Sequence, residues 1–138
     1  MTTKKNKNKK VHTVYVDGGA YNNGKANQKA RVCVVHENEV IIHEDIGNHT
    51  SNEAEFIAIE KAFDWISKNI DKNDVVVVFS DSKLAVNMVK YIWQGQIQRI
   101  KDLRDKVANK LPENTIINWI YRDFNKAGIL LEFNLPRV

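Results

Sequence analysis

Apolar positions along the chain follow two rhythms, one of period two and one of three to four residues, and their succession predicts the elements. Over residues 11–17, Val11, Thr13 and Tyr15 alternate with His12, Val14 and Val16. Both sets are largely apolar, the pattern of a central strand covered on both faces. This strand is expected to stop at Asp17-Gly18-Gly19-Ala20, before a turn-rich stretch that lasts to residue 28. Residues 29–36 and 40–46 repeat the strand pattern around a short Glu37-Asn38-Glu39 turn, giving a three-stranded antiparallel meander. Thr50-Ser51-Asn52-Glu53 fits a capping box and opens a helix reaching about residue 69, with Ala54, Ile57, Ala58, Phe63 and Ile66 toward the core. Four valines and Phe79 make residues 75–79 a buried strand, which ends at Ser80-Asp81-Ser82. A short helix to about residue 91 follows. Ile97, Ile100, Leu103, Val107 and Leu111 then mark an amphipathic helix ended by Pro112. A fifth strand over 115–121 and a helix over 125–134 complete the chain.

The order β-β-β-α-β-α-α-β-α predicts an α/β fold. Three strands form an antiparallel meander and two more are parallel, in a five-stranded mixed sheet with helices on both faces. The first and fourth strands should be parallel neighbours, joined by the long helix. Ligands of open α/β sheets collect at the carboxyl ends of strands. Asp17 ends the first strand and Asp81 the fourth, so both carboxylates are expected at one edge. Glu55 lies near the start of the crossover helix, between the small residues Ala54 and Ala58, which permit a close approach to the sheet. Three acids brought together repel one another unless a cation offsets them. Oxygen-only ligands suit Mg²⁺ or Mn²⁺, and a pair of such ions performs phosphodiester hydrolysis. The bland alternatives are that Asp81 caps the following helix and that Glu55 complements a helix dipole.

Charge divides the chain. Net charge is +4, from 21 Lys+Arg and 17 Asp+Glu. Lys4, Lys5, Lys7, Lys9 and Lys10 stand in the first ten residues without an acid, and removing these five from 21 leaves 16 basic residues against 17 acidic ones. Residues 1–10 are therefore expected to be a disordered basic tail, either attracting phosphates or simply solvated, ahead of a domain over residues 11–138. The single cysteine, Cys33, sits in an apolar run and reads as a small buried hydrophobe. No apolar run approaches the ~18 residues of a membrane span, so a cytoplasmic protein without membrane association is expected. His12, His36, His43 and His49 have no recurring ligand spacing and read as structural or exposed.

Taken in order, Tyr15-Val16-Asp17-Gly18-Gly19-Ala20, Thr50-Ser51-Asn52-Glu53-Ala54-Glu55, Phe79-Ser80-Asp81-Ser82 and Trp119-Ile120-Tyr121-Arg122-Asp123-Phe124-Asn125 resemble type 1 ribonuclease H, of the ribonuclease H-like superfamily, from residue 11 to about 132. The resemblance implies an endoribonuclease that cleaves the RNA strand of RNA–DNA hybrids, leaving 3′-hydroxyl and 5′-phosphate ends. It implies Asp17, Glu55 and Asp81 as catalytic ligands of two Mg²⁺ or Mn²⁺ ions. Gly18 and Gly19 would meet the RNA 2′-hydroxyls, and Thr50, Ser51 and Asn52 would contact the hybrid. No protein partner is implied. The family's fourth acid is missing: its place falls on Ile129, or on Gly128 if one residue is deleted, with Glu132 a turn further on. Two alternatives follow: a catalytically weak or inactive nucleic-acid-binding module, or another nuclease of the same fold. The family's basic, Trp-rich protrusion is matched only by Tyr91-Ile92-Trp93-Gln94-Gly95-Gln96, where Trp93 is expected in the core or as a half-buried anchor.

Overall fold

The computed structural model describes residues 9–134. Strands β1 (Val11–Tyr21), β2 (Lys29–His36) and β3 (Glu39–Gly47) precede helix α1 (Ser51–Asn69). Then come β4 (Val75–Ser80), α2 (Lys83–Val89), α3 (Gln98–Ala108), β5 (Thr115–Trp119), a 3-10 turn over Arg122–Phe124 and α4 (Lys126–Asn134). The sheet order is β3-β2-β1-β4-β5. β1 pairs antiparallel with β2 and β2 with β3, while β4 lies parallel to both β1 and β5. This is the mixed sheet expected from the residue pattern, with β1 at its centre.

Alternation along the strands decides the two faces. Val14, Val16, Val32, Val34, Val76 and Val78 point to one side and are fully buried under Phe56, Ile59 and Phe63 of α1, Met88 of α2 and Val107 of α3. On the other side Cys33 and Val35 pack with Ala127 and Leu131 of α4, flanked by Tyr15 and Leu130. Helices thus cover both faces, but the α4 side holds far fewer apolar groups. The α1 capping box is complete: the Glu53 N–H donates to Thr50 Oγ1 at 3.1 Å, and the Thr50 N–H donates to Glu53 Oε1 at 2.8 Å. Ile57, expected in the core, only packs against its edge, and Phe56, Ile59 and Ala62 join the buried set instead.

Several boundaries differ from the sequence expectation. β1 does not stop at Asp17. β4 leaves it after the pair Val16↔Ser80, but β2 stays bonded to it through Gly18↔Val32 and on to Tyr21↔Lys29. The Gly-Gly pair is therefore extended strand rather than a turn. A Cβ on Gly18 would lie 2.2 Å from the Ala54 carbonyl oxygen, so glycine is needed there for the first turn of α1 to rest on β1. β5 ends at Trp119, since its partner β4 runs out at Ser80, the residue paired with Trp119. Leu111 falls outside α3, which closes through turns from Asn109 to Leu111 ahead of Pro112. Trp93 is 44% exposed, half-buried at the surface rather than in the core. The Lys10 main chain is fixed to the start of β4: its N–H donates to Asp74 Oδ1 at 3.1 Å and its carbonyl accepts from Val75 at 2.8 Å. Residues 1–8 of the expected basic tail lie outside the described residues. No helix among the described residues is long and apolar enough to cross a membrane.

Substitution at the two glycines separates steric need from chain flexibility. Gly18→Ala forces its methyl into backbone and should cost about 3 kcal/mol or more. Gly19→Ala meets nothing nearer than Leu131 Cδ2 at 3.7 Å and should cost less than about 1 kcal/mol. Urea unfolding of the two variants measures the contrast, and equal losses would contradict it.

Candidate active site

Asp17 is the first β1 residue past the stretch paired with β4, and Asp81 directly follows β4. Because the two strands are parallel neighbours, both residues leave the sheet at the same edge. Glu55 reaches this edge from the first turns of α1, where its Oε1 accepts the Gly18 N–H at 2.8 Å. The three carboxylates each offer an oxygen, all within 4.8 Å of one another. The bland readings of two of these acids do not hold. Ser82, not Asp81, caps α2, its Oγ accepting the Ala85 N–H at 3.1 Å. Glu53, not Glu55, serves the helix start through the capping box.

Electrostatics at this edge are unfavourable to charge. Burial, and then the neighbouring Asp81 carboxylate, push Asp17 up from 3.8 to about 7, against a smaller opposing pull from Arg122. Burial, and then Asp17, raise Glu55 well above the ordinary carboxylate range. Burial also pushes the Cys33 thiol up to about 11, with Asp17 adding to it. Cys33 is an inert core residue.

An open cleft of about 330 Å³ lies over the acids. Besides Asp17, Glu55 and Asp81, its lining includes Gly18, Gly19, Ser51, Asn52, Arg122 and Glu132. Thr50 does not line it; its hydroxyl is taken up by the cap of α1. Ser51 Oγ accepts the Ala20 N–H at 3.2 Å, tying the helix start to the far end of β1. Of the two residues expected at the fourth-acid position, Gly128 is the one that faces the acids. A Cβ there would lie 3.2 Å from Asp81 Oδ2 and 3.6 Å from Asp17 Cγ. Ile129 is 40% exposed and outside the lining. Glu132 lines the cleft without joining the three-acid cluster.

Asn125 was not among the site residues expected from the sequence. It is fully buried, and its Nδ2 donates both to the Val16 carbonyl at 2.9 Å and to Asp81 Oδ2 at 3.2 Å. Its Oδ1 accepts the Ala127 N–H at 3.2 Å, so one amide joins β1, Asp81 and the start of α4. Arg122, three residues earlier, faces the cleft from the 3-10 turn. The Arg-x-x-Asn spacing was the one signal in the sequence for both.

The sequence over residues 9–126 matches the family model for RNase H. The chain belongs to the RNase H family. The match ends one residue into α4, ahead of Gly128. Among solved structures, LC11-RNase H1, isolated from compost by a metagenomic approach, is 25% identical with a TM-score of 0.74, over 87% of this chain and 91% of that one. LC11-RNase H1 in complex with an RNA/DNA hybrid superposes at a TM-score of 0.70, also at 25% identity, over 83% of this chain and 88% of that one. RNase H1 from the archaeon Halobacterium salinarum shares the fold at 17% identity, with a TM-score of 0.62 over 88% of this chain and 93% of that one. A search of curated protein sequences finds no match.

The raised Asp17 has a consequence for stability. Its carboxyl keeps a proton to about pH 7 in the fold but loses it near 3.8 when unfolded. The unfolded chain therefore binds fewer protons between these values, and stability falls as pH rises through that window. Asp17→Asn removes the penalty and should stabilise the protein in chelator by about 1–3 kcal/mol at pH 8. The gain should vanish below about pH 4. Urea titrations across this range read it directly.

Proposed function

We propose that this RNase H family member cleaves the RNA strand of RNA–DNA hybrids, using two divalent ions held by Asp17, Glu55 and Asp81. The convergence of three buried carboxylates at one sheet edge carries the reading. The donor set is all oxygen, and two of its members resist ionisation without a counter-charge, which fits Mg²⁺ or Mn²⁺. When bound, such ions supply an activated water and offset charge on the leaving 3′-oxygen, giving 3′-hydroxyl and 5′-phosphate products. Asp17 would serve both ions, and Glu55 and Asp81 would complete the site of one of them. Asn125 fixes the Asp81 carboxylate through its amide. The Gly18–Gly19 main chain is assigned to the 2′-hydroxyls, and Ser51 and Asn52, at the α1 N-terminus, to a backbone phosphate. The hybrid bound by LC11-RNase H1, a relative of the same fold, supports this choice of substrate.

Gly128 favours a second reading, a module that holds the hybrid and cuts it weakly or not at all. Where the family's fourth acid is expected there is only a hydrogen atom facing Asp81. A third reading keeps the fold and the ions but takes another nucleic acid. End-labelled hybrid incubated with Mg²⁺, Mn²⁺ or chelator separates them. Cleavage confined to the RNA strand and dependent on metal is expected, with Asp17→Asn reducing it by about 10³-fold or more. Equal cleavage by wild type and Asp17→Asn, or full activity in chelator, would refute the proposal. Tight binding without cleavage by either metal would establish the second reading, and equal cutting of duplex DNA the third.

The empty position generates its own test. Gly128 has no left-handed backbone angle, and an aspartate there requires the Asp81 carboxylate, 3.2 Å from the new Cβ, to give by a few tenths of an ångström. Gly128→Asp should raise the rate in Mg²⁺ by about tenfold or more, and less in Mn²⁺, which tolerates a poorer site. Ile129→Asp should do nothing. If Gly128→Asp is without effect while Glu132→Gln abolishes activity, Glu132 is the fourth ligand.

A further inference from the structure

At the pole of the sheet opposite the carboxylate cleft, five strand residues or roughly 16 Å back along β1 from Asp17, four side chains converge from three separate stretches of the sequence. His12 comes from the start of β1, His36 from the end of β2, Glu37 from the β2–β3 turn and Asp74 from the entry to β4. His12 Nδ1 lies 2.9 Å from His36 Nε2, and His12 Nε2 lies 2.8 Å from Asp74 Oδ2. Donor atoms of His12, His36 and Glu37 all lie within 4.8 Å of one another. We propose that His12, His36 and Glu37 form a binding site for a divalent transition ion of the Zn²⁺ class.

The arrangement has the parts such a site requires. The Asp74 carboxylate accepts a proton from His12 Nε2, and in the neutral ring this leaves a lone pair on Nδ1, aimed at His36. A carboxylate behind the ligating imidazole is the usual partner that fixes its tautomer and raises its basicity. The side chains of His12 and Asp74 are only 15% and 13% exposed, so their geometry is held by packing. Trp65 covers the His36 ring, with centroids 5.1 Å apart. Glu37 is pinned beside the rings, its Oε2 accepting both the N–H and the hydroxyl of Thr13. Its main chain is anchored by a 2.9 Å bond to the Thr13 carbonyl and by Lys126 on its own carbonyl. Two ring nitrogens 2.9 Å apart must share one proton. An ion replacing that proton, with nitrogens ~2.0–2.1 Å away in tetrahedral geometry, needs them about 3.3 Å apart, a widening of about 0.4 Å. Two neutral imidazoles and two carboxylates balance a doubly charged ion. Imidazole donors select Zn²⁺ over Mg²⁺, which keeps this site distinct from the all-oxygen cleft. The bound ion would clip together the start of β1, the β2–β3 turn and, through Asp74, the entry to β4.

The test titrates Co²⁺ or Zn²⁺ alone into the full chain, with Mg²⁺ in excess to occupy the cleft. One equivalent of Co²⁺ should bind with the intense visible absorption of a tetrahedral ion, and Zn²⁺ should displace it while raising Tm. His12→Gln and His36→Gln should each weaken binding by about 100-fold or more, and Asp74→Asn by about 10–100-fold. Asp17→Asn should leave it intact. The Asp74 variant, with every donor atom in place, serves if a histidine variant fails to fold. The proposal is overturned if wild type shows no tetrahedral Co²⁺ band and no Zn²⁺-dependent rise in Tm. It is equally overturned if the band survives in the histidine and Asp74 variants, or is lost in Asp17→Asn instead.

Discussion

The first turn of α1 lies so close to β1 that residue 18 can carry no side chain, and much of the site follows from that contact. With a Cβ on Gly18 the Ala54 carbonyl would be 2.2 Å away. Without one, Glu55 comes within 2.8 Å of the Gly18 N–H and beside Asp17. The same contact lets Ser51 bond Ala20 and brings the helix start to the rim of the cleft. Packing and site geometry are here one constraint: a helix placed further out would leave the Asp17–Asp81 pair without its third oxygen donor. The parallel β1–β4 pairing supplies the other half, since two strands ending together deliver two acids to one point.

What the packing assembles, electrostatics resists. Burial raises Asp17 and Glu55 before repulsion from neighbouring carboxylates, Asp81 on Asp17 and Asp17 on Glu55, is counted, and Arg122 offsets only part of it at Asp17. Asn125 adds a neutral donor to Asp81 rather than a charge. A cluster of this kind is less stable empty than filled, and a divalent cation meets both difficulties, supplying charge and replacing lost hydration. Gly128 relaxes the same tension from the other side: a fourth carboxylate beside Asp81 would strengthen the hold on a second ion and add to the repulsion without one. Stability and catalytic reach pull against each other at that position.

Much of this was legible in the residue pattern, for physical reasons that also set its limits. Strand ends and a helix start are local features, so Asp17, Asp81 and the Thr50 cap could be placed, and the topology then brought the acids together. Gly18 was legible only as a glycine. That it serves the approach of Ala54 depends on a contact between residues 36 positions apart, and the Gly-Gly pair reads locally as a strand stop. The choice between Gly128 and Ile129 turns on the helical phase of α4 relative to the sheet, which no local spacing determines. Asn125 escaped because an amide's burial cannot be read from its type. Trp93 was open between core and a half-buried place for the same reason, and the fold leaves it half-buried at the surface. The His12–His36–Asp74 group has no spacing to find, since β1, β2 and the entry to β4 each contribute one member.

Buried carboxylates held above their ordinary range should make the cleft a cation site that gives up protons as it fills. Calorimetric titration of Mg²⁺ near pH 6.5, in two buffers of different ionisation enthalpy, measures the protons displaced on binding. Wild type should release protons, fewer as pH rises above 7, and Asp17→Asn should lose both binding and release. Mg²⁺ binding with no proton release, or binding and release unchanged in Asp17→Asn, would contradict it.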